Sequence, residues 1–232
     1  MQTKGLPVSG DYINIHTHNL SGTEGEFSLH NIFAQEFLQV RMESSRIYSV
    51  GLHPWHIKDS WNEGLAKIIR DASVREEIAA LGEAGLDRAI ETPLDVQTEV
   101  LIPQLKIAEK AGKPVLIHCV RAYSEIIGIR NKYRLKVPWI FHSFTANLQI
   151  AGQLISHGCY LSFGKFLLAE KSPVPELFRH INDDYIFLEN DDANLNIREI
   201  YRRACELKGY GEEKMKMIIY NNFKRCFDDR RI

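Results

Sequence analysis

No two of the four cysteines, Cys119, Cys159, Cys205 and Cys226, are spaced as CxxC. That absence excludes a thiolate zinc site and a disulfide frame, and fits reduced thiols in a cytosolic protein. An excess of charge of one sign is missing too. The net charge of −1 argues against a general nucleic-acid coat, although it is compatible with a local basic pocket. The start, MQTKGLPVSGDY, has no apolar h-region, so no signal peptide is read there. Residues 137–164 contain no Asp, Glu, Lys or Arg, but Pro138, His142, Asn147, Gln149, Gln153 and His157 interrupt them. They read as strand, helix and strand rather than as a membrane span, and no membrane association is expected. Charge runs, low-complexity tracts and internal repeats are also absent. With no linker in sight, a chain that is 44% hydrophobic and 25% charged is expected to form a single domain over residues 1–232.

What is present is a recurrence of short apolar runs. YINIHTH, IYSVGLH, IAALGEAGLD, PVLIHCV, PWIFHSF, CYLSFG and YIFLEND are strand candidates, with a weaker one at FSLHNIF. Helical stretches separate them, such as WNEGLAKIIRDA and QTEVLIPQLKIAEKAG. The latter ends on Gly112, with Pro103 expected to kink or start it. Nearly continuous apolar strands alternating with helices indicate a parallel sheet covered by helices. Seven or eight such units predict an α/β fold of the (β/α)8 TIM-barrel type, with a doubly wound open sheet as the alternative.

The ends of these runs carry the chemistry. In INIHTH, His16 and His18 share a strand face with Asn14. Further on, VGLH ends on His53, AALGE on Glu83, PVLIH on His118, PWIFH on His142, and YIFLEND on Asp191. In a β/α barrel the carboxyl ends of all strands converge on one face, so these distant residues would meet there. A lone histidine at a strand end is most often a hydrogen-bonded core residue, and GEAGLD or LEND alone could be turns. Together, in this order, they read as a metal centre. His16, His18, Glu83, His118, His142 and Asp191 form a ligand set for Zn2+, Mg2+, Mn2+, Fe or Co without thiolate. Six ligands exceed the needs of one tetrahedral ion, which favours two divalent ions bridged by a carboxylate. His30, His56, His157 and His180 lack such a setting and are read as structural or surface residues.

With HTH (16–18), GLHPW (51–55), GEAGLD (82–87), VLIHC (115–119), FHSF (141–144), YLSFG (160–164) and the Asp of LEND in this order, the chain resembles the TatD family of metal-dependent hydrolases. That family lies within the amidohydrolase-like barrel superfamily, and the resemblance spans essentially the whole chain. It implies that His16 and His18 bind one metal with Asp191, that Glu83 bridges, and that His118 and His142 bind the second. It also implies divalent-metal deoxyribonuclease activity of the 3′–5′ exonuclease kind on DNA and sometimes RNA. The chain departs from the family at several points. Asn14 stands where an Asp is usual, and ENDDA replaces ETD(S)P through Asn190, Asp192 and Ala193. Val120 takes the place of a common Arg, with Arg121 one position later. The stretch between HTH and GLHP looks trimmed, so the second strand and its helix are expected to be reduced.

The expected function is therefore a phosphodiesterase that uses a metal-activated water, with Asp191 as general base. His53, Arg121 and Lys165 are the candidates to hold the phosphate, and Phe144 could stack on a base. DNA or a nucleotide is the expected substrate, and no stable protein partner is expected. Two other readings fit the same ligands. One is a C–O or C–N hydrolase such as a lactonase or amidase; the other is a metal-stabilised scaffold without catalysis.

Overall fold

The computed structural model describes residues 6–19 and 25–227. Its strands are β1 (Tyr12–Thr17), β2 (Glu26–Phe33), β3 (Ile47–Gly51), β4 (Ile78–Asp87), β5 (Val115–Val120), β6 (Trp139–Phe141), β7 (Tyr160–Phe163) and β8 (Ile186–Leu188). They pair in chain order, all parallel, in one eight-stranded sheet. The two outer strands meet at their carboxyl ends. The Asp191 N–H donates to the His16 carbonyl at 3.0 Å and the His18 N–H donates to the Asp191 carbonyl at 3.1 Å. The sheet is thereby nearly closed into a barrel, which leaves few unpaired edge groups.

Helices cover the outside: α1 (Ile57–Ser60), α2 (Glu63–Ser73), α3 (Leu94–Ala111), α4 (Tyr123–Tyr133), α5 (Leu148–Ser156), α6 (Val174–His180), α7 (Ile197–Lys208) and α8 (Glu212–Cys226). Their ends follow local chemistry. Asn62 caps α2 through the Leu65 N–H, Asn147 caps α5 through the Ile150 N–H, and Asn196 with Glu199 forms a capping box on α7. Gly112 ends α3 at φ 68°, a left-handed position that glycine adopts without a Cβ clash. Pro103 lies within α3 and does not start it. Residues 137–164 form β6, α5 and β7, as their interrupted apolar pattern indicates. Among the described residues no helix is long and apolar enough to cross a membrane.

The second β/α unit is the reduced one. Residues 34–46 run as turns with no helix between β2 and β3, whereas β2, the weakest strand in the sequence, is eight residues long. Its polar residues Ser28, His30 and Asn31 hide it from an apolar-run reading, yet all three are buried. Ser28 bonds to Glu26 and His30 to the Asn19 carbonyl, while Asn31 Oδ1 accepts from the Ser49 hydroxyl at 2.9 Å and from the Glu83 N–H at 2.8 Å.

Strand β4 is buried along its whole length and shifts register between Leu81 and Ala84. A bulge re-aims the side chain next to it. The glycines of GEAGLD are needed for close approach. A Cβ on Gly85 would lie 1.7 Å from the His118 carbonyl oxygen, and one on Gly82, at φ 114°, 2.3 Å from that of Leu116. The backbone of β4 is thus pressed against β5, which carries Glu83 into the middle of the barrel mouth.

Candidate metal centre

Glu83 is 3% exposed and five imidazoles surround it. Its Oε2 faces His16 Nε2 at 3.4 Å and His18 Nε2 at 3.5 Å. Its Oε1 faces His142 Nε2 at 2.7 Å, His118 Nδ1 at 2.8 Å and His53 Nε2 at 3.0 Å. Asp191 closes the first group, with Oδ1 3.4 Å from His16 Nε2 and 3.6 Å from His18 Nε2. All six ligand candidates are therefore brought together: His16, Glu83 and His118 from β1, β4 and β5, and His18, His142 and Asp191 from just past β1, β6 and β8.

The donor set fits divalent metal. A tetrahedral ion with ligand bonds of about 2.0–2.1 Å has ligand atoms about 3.3–3.4 Å apart, close to the spacings around Glu83 Oε2. Both ring nitrogens of fully buried His16 lack a hydrogen-bond partner, and its Nε2 faces two carboxylates at 3.4 Å. Unpaired buried polar atoms are costly, and a cation between them resolves the cost. Among the described residues three groupings could hold an ion: His16, His18 and Asp191; His16, Glu83 and His142; and His53, Glu83 and His118. Cys119 beside His118 is pushed up to about 12 by burial, and it belongs to none of these groupings.

Backbone conformation places the last ligand. Asp191 sits at φ 53°, a left-handed position that Asp tolerates better than most residues. Its N–H and carbonyl are both tied to β1, so the side chain is held where the barrel closes. Arg121 (φ 52°) and Ser143 (φ 47°) turn the same way just past β5 and β6. Arg121 lines a cavity of about 720 Å3 beside the cluster. Lys165 lines it as well, and its Nζ donates to Asp192 Oδ1 at 2.8 Å. A second hollow of about 320 Å3 opens between His18, Phe33, His53, Trp55 and Asp192. Phe144 is 1% exposed and packs against Phe163 and Tyr123, so it is core and cannot stack on a base. His30, His56, His157 and His180 belong to none of the three candidate ligand groupings.

Three supporting residues escaped the reading of strand ends. Asp87 Oδ2 lies 3.1 Å from His118 Nε2, which directs the His118 Nδ1 lone pair toward Glu83 and His142. Asp87 is itself held by the Trp55 indole N–H at 2.8 Å and the Ala89 N–H at 2.7 Å. Burial would raise its carboxyl, but the His118, Trp55 and Ala89 contacts outweigh that and hold it at about 2. The signal was available: Glu83, Gly85 and Asp87 alternate onto one face of β4. Glu189, fully buried, plays the matching part for His142, with Oε1 3.6 Å from Nδ1 and accepting the Ser143 N–H at 2.7 Å. The third residue is Trp55, whose backbone N–H donates to His53 Nδ1 at 3.1 Å. That bond leaves the proton of neutral His53 on Nε2, so His53 faces the centre as a donor rather than with a lone pair.

Asn14 and Asn190, two of the departures from the family pattern, touch each other. Asn14 Nδ2 donates to Asn190 Oδ1 at 2.9 Å and to Glu26 Oε1 at 3.0 Å, while Asn14 Oδ1 accepts the Asn190 N–H at 3.2 Å. The pair links β1 to the chain beyond β8, directly below the ligands. Asn14→Asp should therefore destabilise the fold by about 1–3 kcal/mol, because acceptors would face Asn190 Oδ1 and Glu26. Adding Asn190→Thr should recover part of that loss, since a hydroxyl can donate to the new carboxylate. Urea midpoints of the single and double variants decide the point.

A model of the family described as TatD related DNase matches residues 28–228. The chain belongs to this family. As a TatD-family protein it is a metal-dependent hydrolase. It is 28% identical over 195 residues to YabD of Bacillus subtilis, an uncharacterized metal-dependent hydrolase, a match covering 77% of this chain and 76% of that protein. It is 29% identical over 158 residues to the 3′-5′ ssDNA/RNA exonuclease TatD of Musicola paradisiaca, covering 66% of this chain and 59% of that protein. The crystal structure of YjjV, a TatD homolog from Escherichia coli, superposes with a TM-score of 0.84 at 20% identity, covering 95% of this chain and 99% of that one.

Protons and metal compete for this TatD-family centre. Burial pulls His16 down, yet Asp191 and Glu83 outweigh it and raise the imidazole to about 9 from 6.5. Burial is likewise outweighed at His118, by Asp87 and Glu83, and at His142, chiefly by Glu83 and Glu189; both stand raised. A raised folded-state pKa means that the imidazolium adds stability below about 6.5 and that this is lost as pH rises through about 9. Chelator-treated protein should therefore lose melting temperature across that window. Metal affinity should rise across it, because ligation needs the neutral imidazole. A metal titration at several pH values with no such trend would contradict this picture.

Asp87→Asn gives a more local test. Losing the carboxylate behind His118 should lower metal affinity by roughly 10- to 100-fold. Competition against a chromogenic chelator measures it.

Proposed function

We propose that this chain is a two-metal phosphodiesterase acting on nucleic acid, a deoxyribonuclease of the 3′–5′ exonuclease kind. The observation that carries the reading is the division of Glu83: Oε2 faces His16 and His18, and Oε1 faces His118 and His142. His16, His18 and Asp191 would hold one ion, His118 and His142 the other, with Glu83 shared. The four imidazoles favour Zn2+ over Mg2+, which prefers oxygen donors, and Mn2+ lies between them. When bound, such ions polarise a phosphoryl oxygen and acidify water. The name of the Musicola relative, an ssDNA/RNA exonuclease, supports nucleic acid as the substrate class.

The residues of the chain then divide the remaining work. Burial would raise the Asp191 carboxyl, but His16 outweighs it and holds it at about 2, so it is ionised at neutral pH. A carboxylate in that state can accept the proton of the attacking water at an oxygen. Arg121 and Lys165, the latter bonded to Asp192, supply positive charge at the cavity wall, while His53 lines the adjoining hollow with its Nε2 turned to Glu83. Together these groups orient a phosphodiester by charge-assisted hydrogen bonds.

Elemental analysis followed by assay with Mg2+, Mn2+ and Zn2+ on single-stranded oligonucleotides, simple phosphodiesters and lactones tests the proposal. Nucleotide release from 3′ ends is the expected result. Turnover of lactones with none of nucleic acid would replace it with a C–O hydrolase. A metal-loaded protein inert on the whole panel, yet melting on chelation, would make the centre a stabilising scaffold.

A further inference from the structure

Among the described residues, the exposed large hydrophobic side chains include two aromatics, Trp55 and Phe166, and both line the cavity of about 720 Å3 beside the metal centre. Trp55 is 63% exposed, although indole is a large apolar group that burial favours. It is not loose. Its Nε1–H is committed to Asp87, its backbone N–H to His53 Nδ1, and its ring stands edge-on to the His53 ring at 4.8 Å between centroids. The His118 ring lies 6.1 Å away at 74°. An exposed ring is thus held fixed within one ring's distance of two residues that touch Glu83.

We propose that Trp55, with Phe166 on the same cavity, is the stacking platform for the base of the nucleotide being removed. The inference rests on the nuclease reading above and adds what selects the substrate. Every nucleobase offers a π-face, so stacking demands a base without choosing among bases. A paired base in a duplex has its faces covered by neighbours, so the platform favours unpaired terminal nucleotides. Arg121 and Lys165 on the same cavity supply the charge that such platforms combine with stacking. No donor or acceptor aimed at a base edge is needed for this mode of recognition.

The test compares two oligodeoxynucleotides that differ only in whether the 3′-terminal residue carries a base or is abasic. Wild type should cleave the intact one about tenfold to a hundredfold better in kcat/KM, chiefly through KM, with the four bases alike within a few fold. Trp55→Phe keeps a ring and loses the bond to Asp87; it should retain most of the preference at reduced kcat. Trp55→Gln keeps an N–H donor and loses the ring; it should erase the preference. Equal cleavage of both substrates by wild type, or a preference that survives in Trp55→Gln, overturns the platform while leaving the nuclease reading intact. No cleavage of either with any of the three metals overturns the nuclease reading and the platform with it. A binding measurement covers variants that fold poorly. Deoxyadenosine 5′-monophosphate should quench the indole fluorescence of wild type, deoxyribose 5-phosphate should not, and Trp55→Phe should remove the effect although Trp61 and Trp139 remain. Equal quenching by the two ligands, or quenching that persists in Trp55→Phe, counts against Trp55.

Discussion

Asp191→Asn should abolish metal-dependent hydrolysis, with a loss on the order of 10²–10⁴-fold or more, and leave the fold intact. The amide has the size of the carboxylate, and what holds residue 191 in place is backbone. Its N–H donates to the His16 carbonyl and its carbonyl accepts from His18, and neither bond involves the side chain. What disappears is the negative charge 3.4 Å from His16 Nε2 and 3.6 Å from His18 Nε2, and with it a group able to take a proton at neutral pH. Circular dichroism should match wild type while kcat collapses. Wild-type-like turnover in this variant would remove Asp191 from the mechanism.

The second large effect concerns Glu83. Glu83→Gln should release most of the bound metal from both halves of the centre together, rather than from one half. This carboxylate lies within 3.5 Å of five imidazoles and presents one oxygen to each group of ligands. An amide keeps one weak acceptor and turns two N–H donors toward a site that should receive a cation. Its backbone anchor, the N–H bond to Asn31, would remain. Elemental analysis after dialysis reads the stoichiometry, and the stabilisation conferred by metal should vanish with it. His118→Ala, by contrast, should lower metal content partially, because the ligands around Glu83 Oε2 stay in place. Full metal content in Glu83→Gln would exclude a shared carboxylate.

These two variants, together with Trp55→Gln, separate three properties of one mouth. Asp191 bears on proton transfer and on one ion, Glu83 on both ions together, and Trp55 on substrate retention and, through Asp87, on His118.

The strand side of the fold was legible because a buried parallel strand has a simple signature. β4 and β5 read as apolar runs because helices cover one face and the barrel interior the other. β2 was the faint one, since its Ser28, His30 and Asn31 are polar yet buried, and His30 and the Asn31 Oδ1 find their partners only in the folded chain. The six ligand candidates were visible for a related reason. A polar residue that ends an apolar run sits at a carboxyl strand end, and parallel strands bring those ends to one face whatever the distance along the chain.

Side-chain direction was beyond the sequence. Which nitrogen of His118 faces Glu83 depends on Asp87, on a neighbouring strand. The tautomer of His53 depends on a backbone N–H two residues on, in a turn whose course is set by packing. Phe144 and Trp55 are aromatic residues just past strand ends, yet one is core and the other is exposed at the mouth. Hydrophobicity alone cannot distinguish them, because exposure is decided by what the rest of the barrel places over each ring. Likewise Asn14 and Asn190 were two separate oddities until the barrel closed and made them one hydrogen-bonded pair. The sequence by itself determined the barrel type, the order of the ligands and the family. Tertiary structure alone decided the division of Glu83 between two histidine groups and the fixed indole beside it, because both depend on contacts between strands that meet only when the sheet curls shut.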